Sequence, residues 1–146
     1  MGCAGRYRSG ALVTGAEGPE EEVVMRYLNA KEERIIKGNI PWEHIDPNIR
    51  DLVSFANTIN GLATVQSCAG HIKALKTGGF NISDAHIAFK GTERIIRNAL
   101  FQAVPKCNIR DVSIRRFDDG SFWICVYVDP AEKSKLYELF RFIKEA

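Results

Sequence analysis

Residues 111–129 read DVSIRRFDDGSFWICVYVD, two β-prone runs held apart by four turn-forming residues. Short alternating runs joined through a glycine-containing turn have one economical solution, an antiparallel pair. Alternation divides the second run into two faces, Phe122, Ile124, Val126 and Val128 on one and Trp123, Cys125 and Tyr127 on the other. Asp129, Pro130 and Glu132 follow at once, a capping signal resembling the reciprocal capping box. Behind them, AEKSKLYELFRFIKEA places Leu136, Leu139, Phe140 and Ile143 at helical spacing. A strand pair that must lay one face against a helix already restricts the chain to layered architectures.

The segments upstream extend that pattern. IDPNIRDLVSFANTING has Asp46 as N-cap, Pro47 in the first turn, an apolar face of Ile49, Leu52, Val53, Ala56 and Ile59, and Gly61 as terminator. GPEEEVVMRYLNAKEERIIKG predicts an earlier helix, opened by Pro19 and three glutamates, striped by Val24, Leu28 and Ile35, and closed by Gly38. Strands are expected at 62–67 and 84–90, and Thr92 caps a helix through about Val104 that turns Ile95, Ile96, Ala99 and Leu100 inward. The stretch IKALKTGGFNISD stays ambiguous, with Gly78 and Gly79 marking a loop. The order is helix, helix, strand, strand, helix, strand, strand, helix. It predicts an α+β fold, a mixed or antiparallel sheet covered by helices, with residues 19–146 as a single domain behind a flexible leader at 1–18. No dinucleotide or P-loop glycine fingerprint appears, which disfavours a doubly wound nucleotide site.

Composition narrows the class further. With 146 residues, 45% hydrophobic and 26% charged, the chain can bury a sizeable core without staples. No apolar run approaches the roughly 18 residues that cross a bilayer. The formal net charge is +2, but its distribution is uneven: Gly70–Arg116 holds nine Lys/Arg against three acids. That basic middle reads either as a phosphate-binding face or as solvated helix and strand surfaces. Cys3, Cys68, Cys107 and Cys125 are scattered without CxxC spacing, which predicts free thiols in a reducing, cytoplasmic setting. Gly2–Cys3 invites an acylation reading, yet Arg6 stands where that pattern wants Ser or Thr.

Chemistry concentrates in QSCAGH, residues 66–71. Gly70 permits positive φ and close backbone approach, successive amides of such a turn can cradle an anion, Ser67 and His71 add hydrogen bonds, and Lys73 a charge. The plain alternative is a strand-to-loop turn with a half-buried thiol. Cys68 and His71 form a CxxH pair that would need His86, His44 or Cys107 to complete a metal site, although nothing in the spacing demands it. A Cys68 nucleophile served by His71 is a further possibility, with no third orienting group apparent. His86 alternates with Ala88 and Lys90, so His86 and Lys90 can line the surface of the turn if the two strands are neighbours. Trp123 and Tyr127 beside basic residues suit base stacking, or packing within the sheet.

The stretch GNIPWEHIDPNIRDLVSFANTINGLATVQSCAGHI resembles the tRNA wybutosine-synthesizing protein 3 family. Asp46, Ile49, Leu52, Ile59 and Asn60 lie in its helical frame, and Ser67, Cys68 and Gly70 match its Ser-Ser-Cys-Ser-Gly-Arg signature. Gln66 replaces the first signature serine, and His71 the arginine. Over roughly residues 37–145 the resemblance implies a compact α+β domain and S-adenosylmethionine-dependent methylation of a hypermodified guanosine in tRNA. Ser67, Cys68, Gly70 and His71 would form the ligand-binding turn, with Lys73, His86 and Lys90 as lining groups and no metal. Family members continue into a second half, and homodimerisation is one way to supply it. The rival expectation is a non-catalytic module of the same fold that binds RNA or a small anionic ligand.

Overall fold

A computed structural model describes residues 24–146. The expectations placed on the leader, on Gly2–Cys3 and on the turn opened by Pro19 lie outside the described residues. Local signals account for most helix starts. The Asp46 carboxylate accepts from the Asn48 amide at 2.9 Å and Pro47 opens helix α2, Pro47–Ala56, which buries Ile49, Leu52, Val53 and Ala56. The Thr92 hydroxyl accepts from the Ile95 amide, opening α3, Glu93–Asn98. That helix continues through a wide turn at Ala99–Ala103 into α4, Val104–Lys106. Pro105 has no N–H for the carbonyl four residues back, a reason for the turn to widen there.

Asp129 caps a short 3-10 turn, Pro130–Glu132, through the Ala131 amide at 2.9 Å, and α5 follows at Ser134–Glu145. Its Leu136, Leu139, Phe140 and Ile143 are all buried, as their spacing requires. Glu132 pairs with Lys135.

Among the described residues the first helix begins at Ala30 and not before. Residues 24–29 are not helical; Arg26 bridges Ser121, and the Leu28 amide donates to the Gly91 carbonyl at 3.0 Å. Asn29 is the cap, accepting from the Glu32 amide at 2.8 Å, and α1 spans Ala30–Gly38. The expected stripe of Val24, Leu28 and Ile35 breaks up accordingly. Leu28 is buried from an extended segment, while Val24 and Ile35 are exposed.

Strands β1 (Leu62–Cys68), β4 (Ala85–Gly91), β5 (Asp111–Arg116) and β6 (Phe122–Val128) form one antiparallel sheet in the order β1-β4-β6-β5. The ambiguous stretch resolves into two further strands, β2 (His71–Ala74) and β3 (Phe80–Ser83), paired only with each other. One face of the large sheet carries Leu62, Ile87, Phe89, Ile124 and Val126 into a single core with α2, α3 and α5, where Phe89 meets Phe140 edge-on at 5.5 Å. The other face holds a smaller cluster of Ala88, Cys125 and Tyr127, flanked by Val65 and Trp123. The fold is α+β with an antiparallel sheet.

Candidate functional site

The turn owes its aim to an irregularity in β1. Thr64 lies opposite Phe89, but the register slips at Val65, so that Gln66 lies opposite Ala88 and Cys68 opposite His86. Opposed residues in a ladder share a face. A bulge therefore moves Gln66 and Cys68 off the helix-covered face, where unbroken alternation after Thr64 would have put them. Asn57, just past α2, pins the strand there: its carbonyl oxygen accepts from the Thr64 amide at 3.1 Å and its amide donates to the Thr64 hydroxyl at 2.8 Å.

Beyond Cys68 the chain reverses at Ala69-Gly70. Gly70 has φ +84°, and a Cβ there would stand 2.7 Å from Pro130 Cγ and 2.9 Å from the Ser83 carbonyl. The space expected for a ligand beside Gly70 is filled by the protein's own chain, so this glycine serves the packing of the turn. The reversal brings Cys68 Sγ to 3.4 Å from His71 Nε2, and the His71 amide donates to the Ser83 hydroxyl at 3.0 Å. Sequence spacing left that thiol–imidazole contact open; the glycine turn closes it.

Along the outer side of β1 runs a groove of about 1070 Å³. Gln66, Ser67, Cys68, Ala69, His71 and His86 line one wall. The opposite wall comes from the end of α1 and its connection to α2, chiefly Ile36, Ile40, Pro41 and Ile45, with His44 and Asp46 as polar groups. This second wall of the groove is one that the sequence reading passed over; its signal was the proline-containing link NIPWEHI between two helices. Among the described residues the lining contains no lysine and no arginine.

The remaining candidates separate. His86 is buried at 2% exposure, its ring 5.4 Å from that of Tyr127, and is a wall of the groove rather than a solvated strand residue. Tyr127 in turn takes a hydrogen bond from the Ser113 hydroxyl at 3.3 Å. Lys90 is drawn away from the turn to Glu32 of α1, 3.4 Å distant, and Lys73 lies on the exposed β2; neither lines the groove. Cys107 and Cys125 are buried and outside any disulfide, and burial, with a contribution from Glu138, pushes the Cys107 thiol up. Among the described residues no three His, Cys, Asp or Glu side chains assemble as a metal site, so the CxxH pair gains no third ligand.

Two other features lie away from the groove. A cavity of about 560 Å³ sits over the ends of β5 and β6, with Asp84, Asp111 and Asp129 facing Arg110 and Lys135. Arg115 stands over the rings of Phe117 and Trp123 at 5.3 and 5.4 Å, and those rings meet edge-on. Trp123 is thus engaged within the sheet's own surface.

No family model, curated protein or solved structure matches this chain. The likeness to the wybutosine-synthesis family stands on the motif residues themselves.

Proposed function

We propose that the groove beside the Gln66–His71 turn is the methyl-donor site of an S-adenosylmethionine-dependent, tRNA methyltransferase-like protein of the wybutosine type. The observation that carries this reading is the composition of the groove. Its floor is the motif itself, its far wall is apolar, and its charged side chain is Asp46. Such a lining suits a ligand with a flat apolar base and a sulfonium or ammonium charge better than one carrying phosphates, which would call for lysine or arginine. S-adenosylmethionine supplies the activated methyl group; the work left to the chain is to hold donor and acceptor in register. Ile40, Pro41 and Ile45 would cover the base, Gln66 and His71 would hydrogen-bond the polar end, and the Cys68–His71 contact would hold that imidazole in place. The tRNA would meet the basic middle, including Lys73, outside the groove. No membrane partner is invoked: no described helix is long and apolar enough to cross a bilayer. A reducing cytoplasm suits Cys68, Cys107 and Cys125, which form no disulfide among the described residues.

A non-catalytic module that binds RNA is the second reading, favoured by the Arg115–Phe117–Trp123 stack, a guanidinium and aromatic surface of the kind bases stack on. Calorimetric titration of metal-free protein with S-adenosylmethionine separates the two. Saturable binding that falls at least about tenfold in His71→Ala, equal to about 1.4 kcal/mol, is the expected result. Absence of binding at millimolar ligand, together with RNA binding that weakens steeply with salt, would select the module instead.

A further inference from the structure

The β2–β3 ribbon has two chemically opposite faces. Its register sets Ile72 opposite Ile82 and Ala74 opposite Phe80, so these four side chains share one face. His71 opposite Ser83 and Lys73 opposite Asn81 make the other face wholly polar. The apolar face is uncovered: Ile72 is 68% exposed, Phe80 71% and Ile82 56%. An isolated two-stranded hairpin is marginal in water, and contiguous exposed apolar surface of this kind marks an interaction site.

We propose that this face is closed by the same face of a second copy of the chain, the two ribbons packing about a two-fold axis. Isologous contact sets each residue group against its own copy, so the face must tolerate itself. This one carries no charge and meets no like charge when paired. Lys73 lies on the opposite face and points away from the contact. Nucleic acid or an anionic lipid surface would call for cationic side chains on the contact face, which has none. The exposed parts of these side chains amount to on the order of 500 Å² per chain and ~1000 Å² per pair, the lower end of specific interfaces. The product is a weak dimer that forms and separates with concentration. His71 heads β2 on the polar face, so it lines the groove from outside the contact.

Sedimentation velocity of the whole chain from micromolar to near-millimolar concentration tests this. The wild type is expected to pass reversibly from monomer to dimer, and Ile72→Asp and Phe80→Asp are expected to weaken the dimer at least tenfold. Circular dichroism and thermal unfolding of both variants should match the wild type, since both positions are exposed. A wild type monomeric throughout, or a dimer untouched by both substitutions, would overturn the proposal. So would a monomer that pellets with phosphatidylserine vesicles through this face. Titration with S-adenosylmethionine, read separately, fails or succeeds independently of these outcomes.

Discussion

The β5–β6 pair and the β2–β3 ribbon are built alike and end differently. Each is an antiparallel pair whose turn uses glycine at positive φ, Gly120 at +84° in one, Gly78 and Gly79 at +88° and +89° in the other. The first pair adds β4 along its free edge and lays Ile124 and Val126 against the helices. The second adds no strand, and residues 71–82 all remain exposed. Even the turns differ. The sheet's turn is tied by Asp119 to Ser121 and Arg26, whereas the ribbon's turn closes by backbone bonds between Leu75 and Gly78 and Gly79. Pairing forms a strand unit; a further strand and a helix layer are what bury it.

The sharpest way to break the comparison uses two phenylalanines. Phe89 is fully buried against Phe140, so Phe89→Ala is expected to cost about 3–5 kcal/mol in urea unfolding. Phe80→Ala, on the ribbon's exposed face, is expected to change stability by no more than about 0.5 kcal/mol. Equal costs would mean the ribbon packs on the domain after all. Two glycines give the next contrast. At Gly70 a Cβ meets Pro130 and the Ser83 carbonyl, whereas at Gly78 it meets open space, although both have positive φ. Gly70→Ala should lose about 2–4 kcal/mol and disturb the Cys68–His71 contact, and Gly78→Ala only about 1 kcal/mol.

The smallest effect is a pH dependence confined to the sheet's turn. The Ser121 hydroxyl, then the Ser121 amide and Arg26, hold the Asp119 carboxyl down from 3.8 to about 2. A depressed carboxyl supports the folded state fully above its ordinary value and loses that support as pH falls through the depressed one. Between about pH 3.8 and about 2 the amides of residues 118–121 should therefore exchange faster in the wild type, and Asp119→Asn should remove that pH-dependent step. The ribbon's tip should not respond in either protein.

What the sequence made legible follows from how local each signal is. The caps Asp46 and Thr92, the buried stripe of α5 and the two faces of β6 depend on neighbours within a few residues, and these formed as expected, whereas Asp129 caps the 3-10 turn ahead of α5 and Glu132 pairs with Lys135 instead of closing a reciprocal box. Over residues 24–29 the expected first helix gives way to an extended segment that reaches Ser121 and Gly91 far along the sequence, and Asn29, followed by Glu32 and Glu33, supplies the start of α1. Strands β2 and β3 were hidden because their alternation faces no core, so the usual contrast between inside and outside never develops. At the site, the motif was visible and its surroundings were not. The slip at Val65 depends on Asn57, the burial of His86 on Tyr127, and the diversion of Lys90 on Glu32, each a contact made only when distant segments meet.

The central claim is that ligand recognition belongs to the groove between the motif turn and the α1–α2 link. Titrating the isotope-labelled chain with S-adenosylmethionine and following each backbone amide by NMR tests it most directly. The account predicts saturable shifts clustered at residues 35–46 and 64–71, with the ribbon tip at 75–79 and the Arg115–Trp123 surface unmoved. No shifts at millimolar ligand, or shifts centred on Arg115 and Trp123, would contradict it.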